Sequence, residues 1–244
     1  MRVEPMAEAM PVVSTDNAEQ IVESRNSVLR WLVPLAGLAT LVGYFGPWID
    51  HAAAGLVITG LDLAEYVKFL PSIRGGALMI WRQGFYLPLV AVSLIASLYA
   101  FRRDLGYGWP MRAVMLLMAG VAALNMLPPA WTPHLLLTPE FRLQTAVMGF
   151  CLGVAAISPF AALLPRQLSG GSTIFLAALA LWLPVQNFLR VLPDIARIYN
   201  QPQSPGWGMY VMIAGLAALG VAGALTIRSP RSKQRSQWRA APTT

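Results

Sequence analysis

Long apolar runs alternate with short polar segments along this chain, and the runs recur six times. They cover about 31–48, 85–101, 111–127, 143–164, 173–189 and 209–227. Apart from Arg112, next to the start of the third run, none holds Asp, Glu, Lys or Arg. At 1.5 Å per residue a helix over the first run spans about 27 Å, just enough for a hydrocarbon core of about 30 Å. The pattern predicts an all-α, polytopic integral membrane protein with six transmembrane helices. Residues 28–228 form the bundle, 1–27 a flexible N-terminal tail with a short helix between Asp16 and Ser24, and 229–244 a basic C-terminal tail.

Aromatic and proline positions agree with these boundaries. Trp31 lies at one end of the first run, and Tyr44, Phe45 and Trp48 at the other, as in interfacial belts. Pro34 is expected in a first turn, where a missing N–H costs little. Pro159 and Pro184 are expected to kink the fourth and fifth helices.

The polar segment between the first two runs has its own helical signal. Thr59 is followed three residues on by Asp62, the capping-box spacing. The spacing predicts an amphipathic helix from Gly60 to Leu70, stopped by Pro71. Leu63, Val67 and Leu70 share its apolar face, and Lys68 is placed to pair with Glu65 three residues earlier.

Small residues mark candidate helix contacts. Gly149 and Gly153 stand at the GxxxG spacing in the fourth run, and Gly215 and Gly223 form a stripe in the sixth beside Ala214, Ala218 and Ala222.

Composition sharpens the picture. Only 12% of the 244 residues are charged and 56% are hydrophobic, about half the charged share of soluble domains. The net charge of +7 would suit nucleic acid, but the basic residues stand at the ends of the apolar runs, so no nucleic-acid partner is expected. With the N-terminus inside, twelve Lys and Arg fall on the inner side. The outer six are Lys68, Arg74, Arg82, Arg142, Arg190 and Arg197. That asymmetry places both termini in the cytoplasm and the bundle in the cell membrane. The single cysteine, Cys151, excludes an intrachain disulfide.

Candidate chemistry gathers on the outer face. Asp50, His51, Asp62, Glu65 and Lys68 lie within one loop, and His134 in the next. One reading has this polar cluster line the mouth of a path between helices, where ionisable groups bind cations or relay protons. The other has Asp62 cap its helix and Glu65 pair with Lys68. His51 and His134 with Asp50 would make a three-ligand set, but at no known ligand spacing, so neither metal nor cofactor is expected. The motifs GxxxxGK[ST], HExxH, GxSxG and CxxC do not occur. What remains is a non-enzymatic, permease-like or accessory subunit of a transport system, with the lipid bilayer and other subunits as partners. A scaffold of a larger complex is the alternative, and a metal- or haem-dependent redox protein using the histidines comes third.

Overall fold

The computed structural model describes residues 15–50, 57–128 and 132–228. The first helix, α1 (Thr15–Phe45), is continuous over 31 residues, so the polar segment before Trp31 belongs to it from Thr15 on. No Gly or Pro interrupts residues 15–33, so nothing separates the polar head from the apolar run. Pro34 consequently falls inside the helix rather than in its first turn. Gly46-Pro47 ends it, because proline disfavours helical geometry in the residue before it, and Trp48 leaves the helix altogether.

The first loop carries α2 (Gly60–Tyr66), a 3-10 turn at Val67–Phe69, and α3 (Pro71–Arg74). The single helix expected over 60–70 thus tightens after Tyr66. Another 3-10 turn, Arg82–Tyr86, leads into α4 (Leu87–Ala100). Then follow α5 (Trp109–Leu124), α6 (Pro133–Leu136), α7 (Arg142–Ala156) and α8 (Ser158–Ala161). The chain closes with α9 (Arg166–Tyr199) and α10 (Trp207–Ile227). Two short strands, β1 (Ile49–Asp50) and β2 (Ser204–Pro205), pair antiparallel.

Among the described residues, four segments are long and apolar enough to cross a membrane: Asn26–Phe45, Arg82–Ala100, Arg166–Tyr199 and Trp207–Ile227. The other two expected spans form shorter helices, of 16 residues in α5 and 15 in α7. In the fourth run Pro159 does more than kink: helical geometry stops at Ala156 and resumes at Ser158 with the proline in the new first turn. The fifth run departs the other way. Its helix continues through Pro184 and Pro193 for 34 residues, about 51 Å, well beyond a core of about 30 Å. Arg190, Asp194 and Arg197 all fall in its last ten residues.

The segment built on α4 is the hub. Within it 78% is buried, against 33% for α9 and 39% for α10. It packs on α1, α5, α7 and α9, while α10 is wedged between α1 and α9. The α1–α10 contact is backbone on backbone. A Cβ at Gly43 would stand 2.2 Å from the Met212 nitrogen, and one at Gly215 2.6 Å from the Thr40 nitrogen. At the α9–α10 contact, a Cβ on Gly170 would meet the Gly223 carbonyl oxygen at 2.6 Å. Gly215 and Gly223 are thus contact residues, as their spacing predicts. Gly149 and Gly153 are not, within this chain: both are exposed, with nothing within 4 Å of where a Cβ would stand.

Large apolar side chains face outward along the helices, among them Leu35, Leu38, Leu117, Phe175, Trp182 and Val221. An apolar exterior on this scale suits hydrocarbon surroundings and is costly in water. Polar pairing is strongest at two ends of the bundle. Asn26, Arg102, Asp104, Arg166 and Thr226 line one small cavity, which marks the tail end. The paired strands and the turns bearing Glu65, Arg82 and Glu140 mark the loop end. The described chain enters and leaves the bundle at the tail end, since α1 starts from it and α10 finishes at it.

Candidate functional site: a charged clamp at the loop end

The Thr59 capping box forms as its spacing predicts. The Thr59 hydroxyl accepts from the Asp62 N–H at 3.2 Å, and the Thr59 N–H donates to the Asp62 carboxylate at 2.9 Å. Asp62 is therefore spent on the cap and stays exposed. The cap aims α2 so that Leu63, Val67 and Leu70 are buried and Glu65 and Lys68 face the second loop.

There Lys68 meets two carboxylates. Its Nζ lies 2.7 Å from Glu65 Oε2 and 3.2 Å from Glu140 Oε1. Arg82 closes the ring. Its Nη1 is 3.2 Å from Glu140 Oε1 and 4.0 Å from Glu65 Oε2, and its Nη2 donates to the Glu140 carbonyl at 3.2 Å. The Tyr86 hydroxyl donates to Glu65 Oε1 at 3.1 Å. Phe141 lies under both cations, 5.9 Å from Lys68 Nζ and 5.9 Å from the Arg82 guanidinium carbon.

Two carboxylates and two cations make the ring neutral. The hydrogen bond from Lys68 outweighs burial and, with Arg82, holds the Glu140 carboxyl below its ordinary pKa. The hydrogen bond to Glu65, followed by the contacts to Glu140, outweighs burial and holds the Lys68 ammonium above its own. Both shifts keep the pairs charged at neutral pH. The arrangement is chemically a clamp joining the first two loops of this end.

A second set of contacts ties the first loop to the projecting end of α9. The Ser72 hydroxyl donates to the Asp194 carboxylate, which also accepts from Arg197 at 3.1 Å. Asn187 donates to the Trp81 carbonyl at 3.0 Å, and burial together with its neighbour Tyr199 raises the Tyr66 pKa. Trp48 anchors the floor. It is fully buried, stacks edge-on against Tyr44, Phe85 and Phe188, and donates its indole N–H to the Gly43 carbonyl at 3.2 Å.

Of the outer residues singled out by sequence, the structure joins Glu65 and Lys68. It leaves Asp62 on its cap, and His134 exposed on α6. Asp50 enters through its backbone, paired with Ser204. His51 lies outside the described residues. Among the described residues no three of His, Cys, Asp and Glu gather as a metal site. Sequence reasoning did not reach Arg82, Tyr86, Ser72 or Asp194 as parts of this network, because their partners are 21 to 122 residues away.

No family model, no curated protein and no solved structure matches this chain. Fold and site define a class: a mostly helical protein with, among the described residues, four helices long and apolar enough to cross a membrane, and with a neutral, paired polar clamp.

Proposed function

We propose that this protein is a non-enzymatic integral membrane protein of the cell membrane, an accessory or permease-like subunit of a transport system. In this reading α5 and the α7–α8 pair also cross, giving six spans with both tails in the cytoplasm. The excess of Lys and Arg at the tail end supports that orientation.

The observation that carries the reading is where the open space lies. Two apolar grooves, of about 500 Å³ and 360 Å³, open sideways between helices. The buried hydroxyls of Thr40, Ser97, Thr173 and Thr226 donate to backbone carbonyls of their own helices at 2.7–2.8 Å. Such a bundle works through what packs against its flanks. Purification in mild detergent with quantitative identification of stoichiometric companions tests this. A transport ATPase or permease recovered at a fixed ratio, and lost from the membrane when this chain is deleted, is the expected result. A protein that purifies alone and carries a bound pigment or metal would overturn it.

The scaffold reading keeps one specific support. The exposed Gly149–Gly153 face of α7 has the spacing for close approach by a helix of another chain.

A further inference from the structure

Arg102 brings more hydrogen-bond donors to the tail end than its neighbours accept. Its side chain is 5% exposed, and Nη2 donates to Asp104 Oδ2 at 3.1 Å. Nη1 is buried and has no hydrogen-bond partner among the described residues. A buried guanidinium N–H costs free energy unless something accepts from it. The side chain is also held in place. The Arg102 N–H donates to the Tyr99 carbonyl at 3.1 Å, and the guanidinium carbon lies 5.9 Å from the Tyr99 ring centre.

The same arginine lines the small tail-end cavity, with Asn26 of α1, Tyr99 of α4, Asp104 and Thr226 of α10. Its volume is about 10 Å³, the space that one water fills. A buried water also needs about two to four polar partners, and this wall is polar on several sides.

The protons on the neighbouring hydroxyls determine which oxygen can accept. The Thr226 hydroxyl donates its single proton to the Ala222 carbonyl at 2.8 Å. The Tyr99 hydroxyl, 2.8 Å from Thr226 Oγ1, is therefore the donor of that pair. Thr173 spends its proton on the Ser169 carbonyl at 2.8 Å and stands 3.5 Å from the Tyr99 hydroxyl. The Tyr99 oxygen thus keeps acceptor capacity.

We propose that this cavity is the binding site of one structural water, which accepts from Arg102 Nη1 and donates to the Tyr99 hydroxyl oxygen. Donation then runs in one sense from Arg102 through the water, Tyr99 and Thr226 to the Ala222 carbonyl, and links the end of α4 to α10. Ions suit the site less well. Asp104 repels an anion there, and Arg102 repels a cation. A phosphate or a carboxylate group is too large for the space.

Crystal structures of the full-length protein, at a resolution that shows ordered water, test the proposal. Wild type shows one water peak within about 2.7–3.2 Å of both Arg102 Nη1 and the Tyr99 hydroxyl oxygen. Tyr99→Phe removes the accepting oxygen and loses the peak, whereas Thr226→Val leaves that oxygen in place and keeps it. Should Tyr99→Phe fail to fold, wild type and Thr226→Val still decide the matter. A wild-type or Thr226→Val site without the peak, in maps that show other buried waters, would overturn the proposal. So would a full-strength peak in Tyr99→Phe, a protein group bonded to Nη1 in its place, or an anomalous signal at the site after a bromide soak, which would mark a halide.

Discussion

Lys68 reaches Glu140, 72 residues further along the chain, at 3.2 Å, and in doing so joins two loops that no backbone ladder connects. Arg82 reaches the same carboxylate at the same distance. These two loops are therefore joined by side chains, whereas α10 beneath them meets α1 and α9 through close backbone contacts at glycines.

The clamp should be modest in energy. Glu140 is half exposed, and exposed ion pairs contribute about 0.2–1 kcal/mol. A double-mutant cycle with Lys68→Met and Glu140→Gln, read by chemical unfolding in detergent, should give a coupling below about 1 kcal/mol. Arg82→Met should cost more, because Arg82 is the more buried cation and also holds the Glu140 backbone.

The clamp should also respond to pH in a defined direction. Glu140 is held below its ordinary pKa of 4.5 in the folded state, so its contribution is present above that pH and lost as pH falls through the folded value. Lys68 is held above 10.5, so its contribution is lost only as pH rises through its own folded value. Protease access to the Gly75–Gly76 turn should stay constant from pH 6 to 9 and rise below about pH 4.5. The Glu140→Gln variant should lose that acid step.

Glycine substitutions should divide cleanly. Gly43→Ala puts a Cβ 2.2 Å from the Met212 nitrogen and forces α1 off α10, which should cost about 3 kcal/mol or more, as overpacking against rigid backbone does. Gly149→Ala and Gly153→Ala meet nothing within 4 Å and should be neutral or gain a few tenths up to about 1 kcal/mol from helix propensity. Thermal unfolding of the three variants in one detergent gives the comparison. If the scaffold reading holds, Gly149→Leu should release a partner without lowering the melting temperature.

Asp104 should be the most sensitive acid at the tail end. Arg102 is 5% exposed and shares Asp104 with Arg166. Asp104→Asn removes the charge that both guanidinium groups answer, a loss of about 2 kcal/mol for hydrogen bonds to charged groups. The melting temperature of wild type should fall with pH below about 3.8, the value from which the Asp104 pKa is lowered. In the variant that step should shrink.

Local signals in the sequence led directly to local structure. Thr59 and Asp62 make the cap that their spacing predicts, Glu65 and Lys68 pair across one turn, and Gly215 and Gly223 lie where helices touch. Each of these is a matter of residues three to eight apart. The clamp was only half legible for the same reason: Glu65 and Lys68 are neighbours, but Arg82 and Glu140 come from other turns and leave no mark in any window. Prolines were ambiguous in kind. Pro159 coincides with a full break and Pro184 with an unbroken helix, because neighbouring packing, not the ring alone, decides whether the freed carbonyl finds another partner. The length of α9 was hidden because its last ten residues carry charge, and hydropathy marks where oil ends rather than where a helix ends.

The most direct test is the sidedness of the two ends of the bundle. Single cysteines are placed at Asn200, at the loop end, and at Ser236, in the tail, on a Cys151→Ala background, and intact cells are treated with a membrane-impermeant maleimide. Labelling of position 200 in intact cells, with position 236 labelled only after lysis, is the predicted result. Labelling of both positions in intact cells, or recovery of the protein in the soluble fraction without detergent, would contradict a membrane bundle entered and left from the cytoplasm.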